Sequence, residues 1–160
     1  MSKLHQVAWD ERAGAPANAR RELPHLAASY FARVRALLAE DPSPAKLHRL
    51  RLLTKRLRYT LELFRPCYGP GLDTRLTALR RIQQSLGEVN DSAAAGRLVS
   101  RSMSAASPQR ARILHFLEER AAAKAEEFRK DWAAVFDAPG QELWWTTYLV
   151  RHARTPGRRA

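Results

Sequence analysis

The chain has one cysteine, two methionines and seven glycines in 160 residues, and none of its apolar runs approaches the length of a membrane span. With Cys67 alone, an internal disulfide framework is excluded. The thiol sits in "RPCYGPG" with no Cys or His at ligand spacing, so it reads as an incidental thiol in a reducing compartment. The opening "MSKLHQVAWDERAG" lacks the apolar stretch of a signal peptide, and the cytoplasm is the expected location. Acidic residues are also scarce: 16 Asp and Glu face 28 Lys and Arg, a formal net charge of +12 and a pI near 11.0. Such an excess says little about fold and much about partners, because it concentrates nucleic acid, anionic membrane or phosphate polymers at the surface. Residues arranged for catalysis are missing as well. The five histidines lack metal spacing, the carboxylates are scattered, and neither a phosphate-cradling glycine loop nor a nucleophile elbow is present. No enzymatic activity, cofactor or metal is expected.

Helical periodicity is abundant, and the length suits one domain. Residues 1–19 carry Gly14 and Pro16 without sustained periodicity and read as a flexible arm or short irregular lead-in. Leu26, Tyr30, Val34, Leu37 and Leu38 mark a first helix, stopped by "EDPSP". Ser43 and Pro44 are an N-cap and first-turn pair for a second, which "RPCYGPG" ends. Leu72, Leu76, Leu79, Ile82, Leu86 and Val89 define a third, with Gly87 marking a kink or a close helix crossing. Ser107 and Pro108 open a fourth, expected to be buried through Ile113, Phe116, Leu117, Ala121, Phe128 and Trp132. Short connections favour antiparallel neighbours. The expected fold is all-α, an antiparallel up-and-down four-helix bundle over residues 20–137. Residues 138–160 form an additional C-terminal segment, "ELWWTTYLVRHARTPGRRA", whose periodicity does not decide between helix and strand. Its adjacent tryptophans suggest burial, and Arg151, Arg154, Arg158 and Arg159 form a basic tail.

The second helix carries the chemistry. In "KLHRLRLLTKRLRYTLELF", from Lys46 to Phe64, Leu50, Leu53, Leu57, Leu61 and Phe64 recur at the spacing of a buried stripe. His48, Arg51, Lys55 and Arg58 recur beside it along about 15 Å of helix, and Glu62 continues that stripe with a negative charge. Arg56 lies on the opposite flank from Arg58. Like charges three or four apart on a helix repel by a few tenths of a kcal/mol each, so the stripe costs stability unless an anion offsets it. Either carboxylates on neighbouring helices do so, or a polyanion does.

"LHRLRLLTKRLRYTLELF" resembles the signature of the CHAD domains, the conserved histidine α-helical domains: a histidine, an arginine three on, then a basic cluster running into an aliphatic-aromatic stretch. His48, Arg51, Lys55, Arg56 and Arg58 hold those places. "SLGEVND", with Leu86, Gly87, Asn90 and Asp91, is similar to the second element of the family. The resemblance covers roughly residues 20 to 137. It implies binding of inorganic polyphosphate, often at polyphosphate granules, without catalysis. Family members usually contain two such bundles related by a pseudo-two-fold, with basic residues lining a groove between them. This chain carries one bundle's worth of helices and one copy of the motif, so a homodimer sharing one groove is expected. The polyphosphate-binding residues expected are His48, Arg51, Lys55, Arg56 and Arg58. Arg120 and Lys124 on the fourth helix join them, although nearby glutamates favour an internal salt-bridge face for that pair. His48 is expected to donate to phosphate when protonated.

Two rival functions are weighed against this. A histidine in a helical bundle also fits a phosphotransfer domain, but leucines and arginines crowd His48 where a receiver domain needs small residues. Nucleic acid is the stronger rival, because charge alone attracts it. The stripe lacks stacking platforms and base-reading side chains, so nucleic-acid association is expected to be nonspecific and to fall steeply with salt.

Overall fold

A computed structural model describes residues 5–39 and 43–154. Among these residues all regular structure is helical: α1 (Ala15–Leu38), α2 (Pro44–Leu63), a single turn α3 (Arg65–Tyr68), α4 (Gly71–Ser102), α5 (Pro108–Asp131), a π-helical turn (Trp132–Phe136) and α6 (Gln141–Arg151). The chain turns are where local chemistry places them. Ser43 and Ser107 each accept a hydrogen bond from the backbone three residues on, Lys46 N at 3.3 Å and Arg110 N at 3.4 Å, and each is followed by the proline of the first helical turn. Gly69, at φ 65°, takes the left-handed conformation between α3 and α4. Glu40 to Pro42, expected to stop α1, and Arg158 and Arg159 of the basic tail lie outside the described residues.

The α2 stripe from Leu50 to Phe64 and the α4 stripe from Leu72 to Val89 are buried throughout, and α2 packs against both α1 and α4. The fourth wall of the core differs from expectation. Ile113 and Phe116 of α5 are exposed, at 39% and 59%, and only Phe128 and Asp131 of that helix are buried. Helix α5 packs on α4 and on the π-helical turn that follows it and scarcely touches α1, α2 or α6. The missing wall is supplied by the chain's end. In the π-helical turn Asp137 N donates to Trp132 O at 2.9 Å, five residues back, and this wider turn lets Trp132 and Phe136 stack at 5.2 Å on one face. The same core takes in α6, which lies along α1 with Trp145 and Leu149 buried. Residues 138–154 therefore share the main core across the boundary expected after 137.

The two tryptophans part company. Trp145 packs on Phe31 and Phe136. Trp144 is half exposed and covers Arg75, whose guanidinium is sandwiched 3.4 Å from the Trp144 ring centre and 3.7 Å from that of Tyr148. Burial pushes the Arg75 pKa down to about 10, and its NH groups reach the carbonyls of Gly71 and Trp144. Tyr148 also explains Gly71: a Cβ there would stand 2.7 Å from the Tyr148 hydroxyl.

The lead-in is shorter than composition suggests. Helix α1 begins at Ala15, and residues 5–10 are tied to it by hydrogen bonds from His5 N to Ser29, Ala8 N to Glu22 and Asp10 N to Asn18. Glu22 is buried there. Hydrogen bonds from Arg21, then Ala8 N and His5, hold its carboxyl down at about 2.

Candidate functional site

Helices α2 and α4 lie side by side over a buried leucine seam, and the polar flank of each meets at one edge in a groove of about 450 Å³. Arg51 and Arg58 line it from α2, and Arg80, Gln83, Gln84, Gly87, Glu88 and Asp91 line it from α4. Lys55 stands between Arg51 and Arg58 on the same face of α2, as the helical repeat requires.

His48 marks one end. Its Nδ1 lies 2.8 Å from Asn90 Oδ1, joining two sequence motifs that are 42 residues apart. Asn90 donates its own amide NH to Leu86 O at 2.8 Å, which aims its oxygen at the imidazole. Nδ1 of His48 must then carry the hydrogen. The neutral ring therefore presents the Nε2 lone pair, an acceptor, and only protonation turns that edge into a donor.

Arg51 occupies the middle. Its Nε is buried without a hydrogen-bond partner and lies 3.9 Å from where a Cβ of Gly87 would stand. A Cβ at Gly87 would thus meet only the Arg51 side chain, at ordinary van der Waals distance, and α4 itself runs unbroken through this point. Among the described residues neither Arg51 nor Lys55 forms an ion pair, and the Lys55 ammonium sits 5.4 Å from the Tyr59 ring centre.

The far end is already paired. Arg58 donates from Nε to Gln83 at 2.8 Å and from a terminal nitrogen to Glu62 Oε1 at 2.7 Å, while its guanidinium stacks 4.4 Å from the Tyr59 ring centre. Arg80 reaches the same Glu62 oxygen from α4 at 3.0 Å.

Of the other expected residues, Arg56 faces away from the groove. It lines an apolar pocket on the opposite flank with His5, Trp9, Leu26, Leu63 and Phe64. Arg120 and Lys124 reach across from α5 to Glu88, at 3.1 and 3.7 Å, and Lys124 also binds Glu127 at 2.6 Å. The Glu127 hydrogen bond raises the Lys124 pKa, and the same bond lowers that of Glu127. This pair is an internal salt-bridge face bordering the groove. The α4 lining was missed, although Arg80, Gln83, Gln84, Gly87 and Asp91 recur at i, i+3, i+4, i+7 and i+11, a polar face legible at helical period.

The groove offers closely spaced cations with the His48 imidazole at one end and the Glu88 and Asp91 carboxylates on its α4 side. Among the described residues no cluster of three or more His, Cys, Asp or Glu is placed to hold a metal, and no helix is long and apolar enough to cross a membrane. The family model described as CHAD domain matches residues 2–100, which contain α1, α2, α3 and nearly all of α4. No curated protein and no solved structure matches the chain.

Proposed function

We propose, for a chain that belongs to the CHAD domain family, non-catalytic binding of inorganic polyphosphate along the groove between α2 and α4. One observation carries most of the weight: Arg51 and Lys55, consecutive cations on one helix face, form no ion pair among the described residues. Their mutual repulsion is a cost that a bound anion removes. Polyphosphate bears a charge on every unit and no base to read, so a binder needs spaced cations and little else. Arg51 can fork two phosphate oxygens, while Lys55 serves as a point charge on a flexible stem. Among the described residues no aromatic ring lines the groove, and Tyr59, exposed beside it, has the Arg58 guanidinium 4.4 Å from its ring centre. Association with nucleic acid is then electrostatic and salt-sensitive. An isologous homodimer that brings two such grooves together, and residence at polyphosphate granules in the cytoplasm, belong to the same proposal.

The imidazole supplies the test. Asn90 fixes the neutral ring with its lone pair outward, so a phosphate oxygen gains a hydrogen bond at Nε2 only from the protonated ring. Polyphosphate binding is expected to be several-fold tighter with the ring protonated than with it neutral, and so to strengthen on acidification. His48→Phe should keep binding and lose the pH dependence. Identical pH profiles for the two proteins would remove His48 from the site. Light scattering along the same titrations follows assembly, and a strict monomer mass with and without polyphosphate would end the homodimer.

A further inference from the structure

Glu62 is the one residue of the α2 basic stripe with the wrong sign, and its bonds to two residues that line the groove give it a role. Its Oε1 accepts from Arg58 of the same helix at 2.7 Å and from Arg80 of α4 at 3.0 Å. One carboxylate oxygen thus holds the two guanidiniums that face each other across the far end of the groove. Arg58 is held further by Gln83, and its side chain is only 14% exposed. At the other end, Arg51 and Lys55 have no such partner among the described residues. The groove's cations are therefore split along its length: Arg58 and Arg80 are held in ion pairs by Glu62, while Arg51 and Lys55 form none among the described residues, although Glu88 and Asp91 also line the groove.

We infer that Glu62 is a specificity-determining residue, a resident carboxylate that an incoming polyanion must displace, and that it makes the site discriminate by chain length. The inference rests on polyphosphate binding at this groove. A short phosphate chain binds at the unpaired end around Arg51 and Lys55. To gain Arg58 and Arg80 it must compete with a carboxylate already in place, and the exchange of one anion for another yields little. A long chain anchored on Arg51 and Lys55 presents its next phosphates at high effective concentration to the paired end. It swaps out Glu62 through intramolecular substitution. The distance supports this division, since Arg51 and Arg58 are about 10 Å apart along the helix, two turns, so reaching both ends requires several consecutive phosphates. The other carboxylates lining the groove hold none of its cations: Glu88 pairs with Arg120 and Lys124 of α5, and Asp91 forms no ion pair among the described residues.

The test compares wild type, Glu62→Gln and Glu119→Gln with tripolyphosphate and with long-chain polyphosphate, by calorimetric or anisotropy titration at fixed pH and salt. Glu119, exposed on α5 beside His115, reports the generic effect of deleting one negative charge outside the groove. Glu62→Gln is expected to tighten tripolyphosphate binding about tenfold and long-chain binding less than about threefold, as the two guanidiniums that Glu62 holds are released. Glu119→Gln should change both equally and slightly. Equal tightening by Glu62→Gln for both ligands, or the profile of Glu119→Gln, would overturn the role by reducing Glu62 to bulk charge. Weaker binding by Glu62→Gln would overturn it in the opposite sense, making Glu62 a positioning residue for Arg58 and Arg80. A wild type that binds neither ligand would refute polyphosphate binding itself and this inference with it.

Discussion

Replacing Arg51, Lys55 and Arg58 together by alanine is expected to weaken long-chain polyphosphate binding by more than about a hundredfold, since charge-assisted hydrogen bonds contribute about 1.5–3 kcal/mol each. The three side chains share one face of α2, and two of them line the groove. Folding should survive the change. Arg51 and Lys55 have no ion-pair partner to lose among the described residues, and Glu62 keeps its bond to Arg80 when Arg58 is removed. Removing three neighbouring positive charges from a chain of net charge +12 also relieves repulsion. Circular dichroism and a thermal melt establish that the variant is folded, and an anisotropy titration reads the affinity. A loss of only a few-fold, matching that of a variant with three cations removed elsewhere, would mean that the groove has no privileged role.

The second large effect concerns the fold. Trp145→Ala should destabilise the protein by about 3–5 kcal/mol, a large share of a typical domain's total. Trp145 is fully buried, packs on Phe31 of α1 and Phe136 of the π-helical turn, and lies near Arg75 of α4. Its removal opens a cavity where three parts of the chain meet. The melting temperature is expected to fall by about 10 °C. Trp144→Ala should cost less, because that ring is half exposed and its main contact is the Arg75 guanidinium. A Trp145→Ala protein melting within a degree or two of wild type would show that α6 is not part of the cooperative core.

These two sites also mark how far the sequence could be read. The α2 stripe, its Ser43–Pro44 start and the α4 leucines are local patterns, each set by side chains within a few turns, and the structure has them as the periodicity predicts. Helix α5 shows the limit. Ile113 and Phe116 have helical apolar spacing, but spacing says which face is apolar and not whether another helix arrives to cover it. The core's remaining wall came from α6, where aromatic and β-branched residues left the periodicity ambiguous, and from a π-helical turn that has no sequence rule of comparable strength. In the site, the cations of α2 could be named from their spacing. Their division into free and paired could not, because Glu62 meets Arg80, and Glu88 meets Arg120, only across helices. His48 and Asn90 stand in the two family motifs, but only the packing of α2 on α4 brings them within 2.8 Å.

The central claim is that the groove is a dedicated polyphosphate site and not merely part of a cationic surface. Competition binding of fluorescent long-chain polyphosphate against double-stranded DNA, at matched charge and about 150 mM salt, tests it most directly. The expected result is retention of polyphosphate against a large excess of DNA charge. Displacement by DNA at charge equivalence would contradict it, and would leave the groove a general attractor of anions.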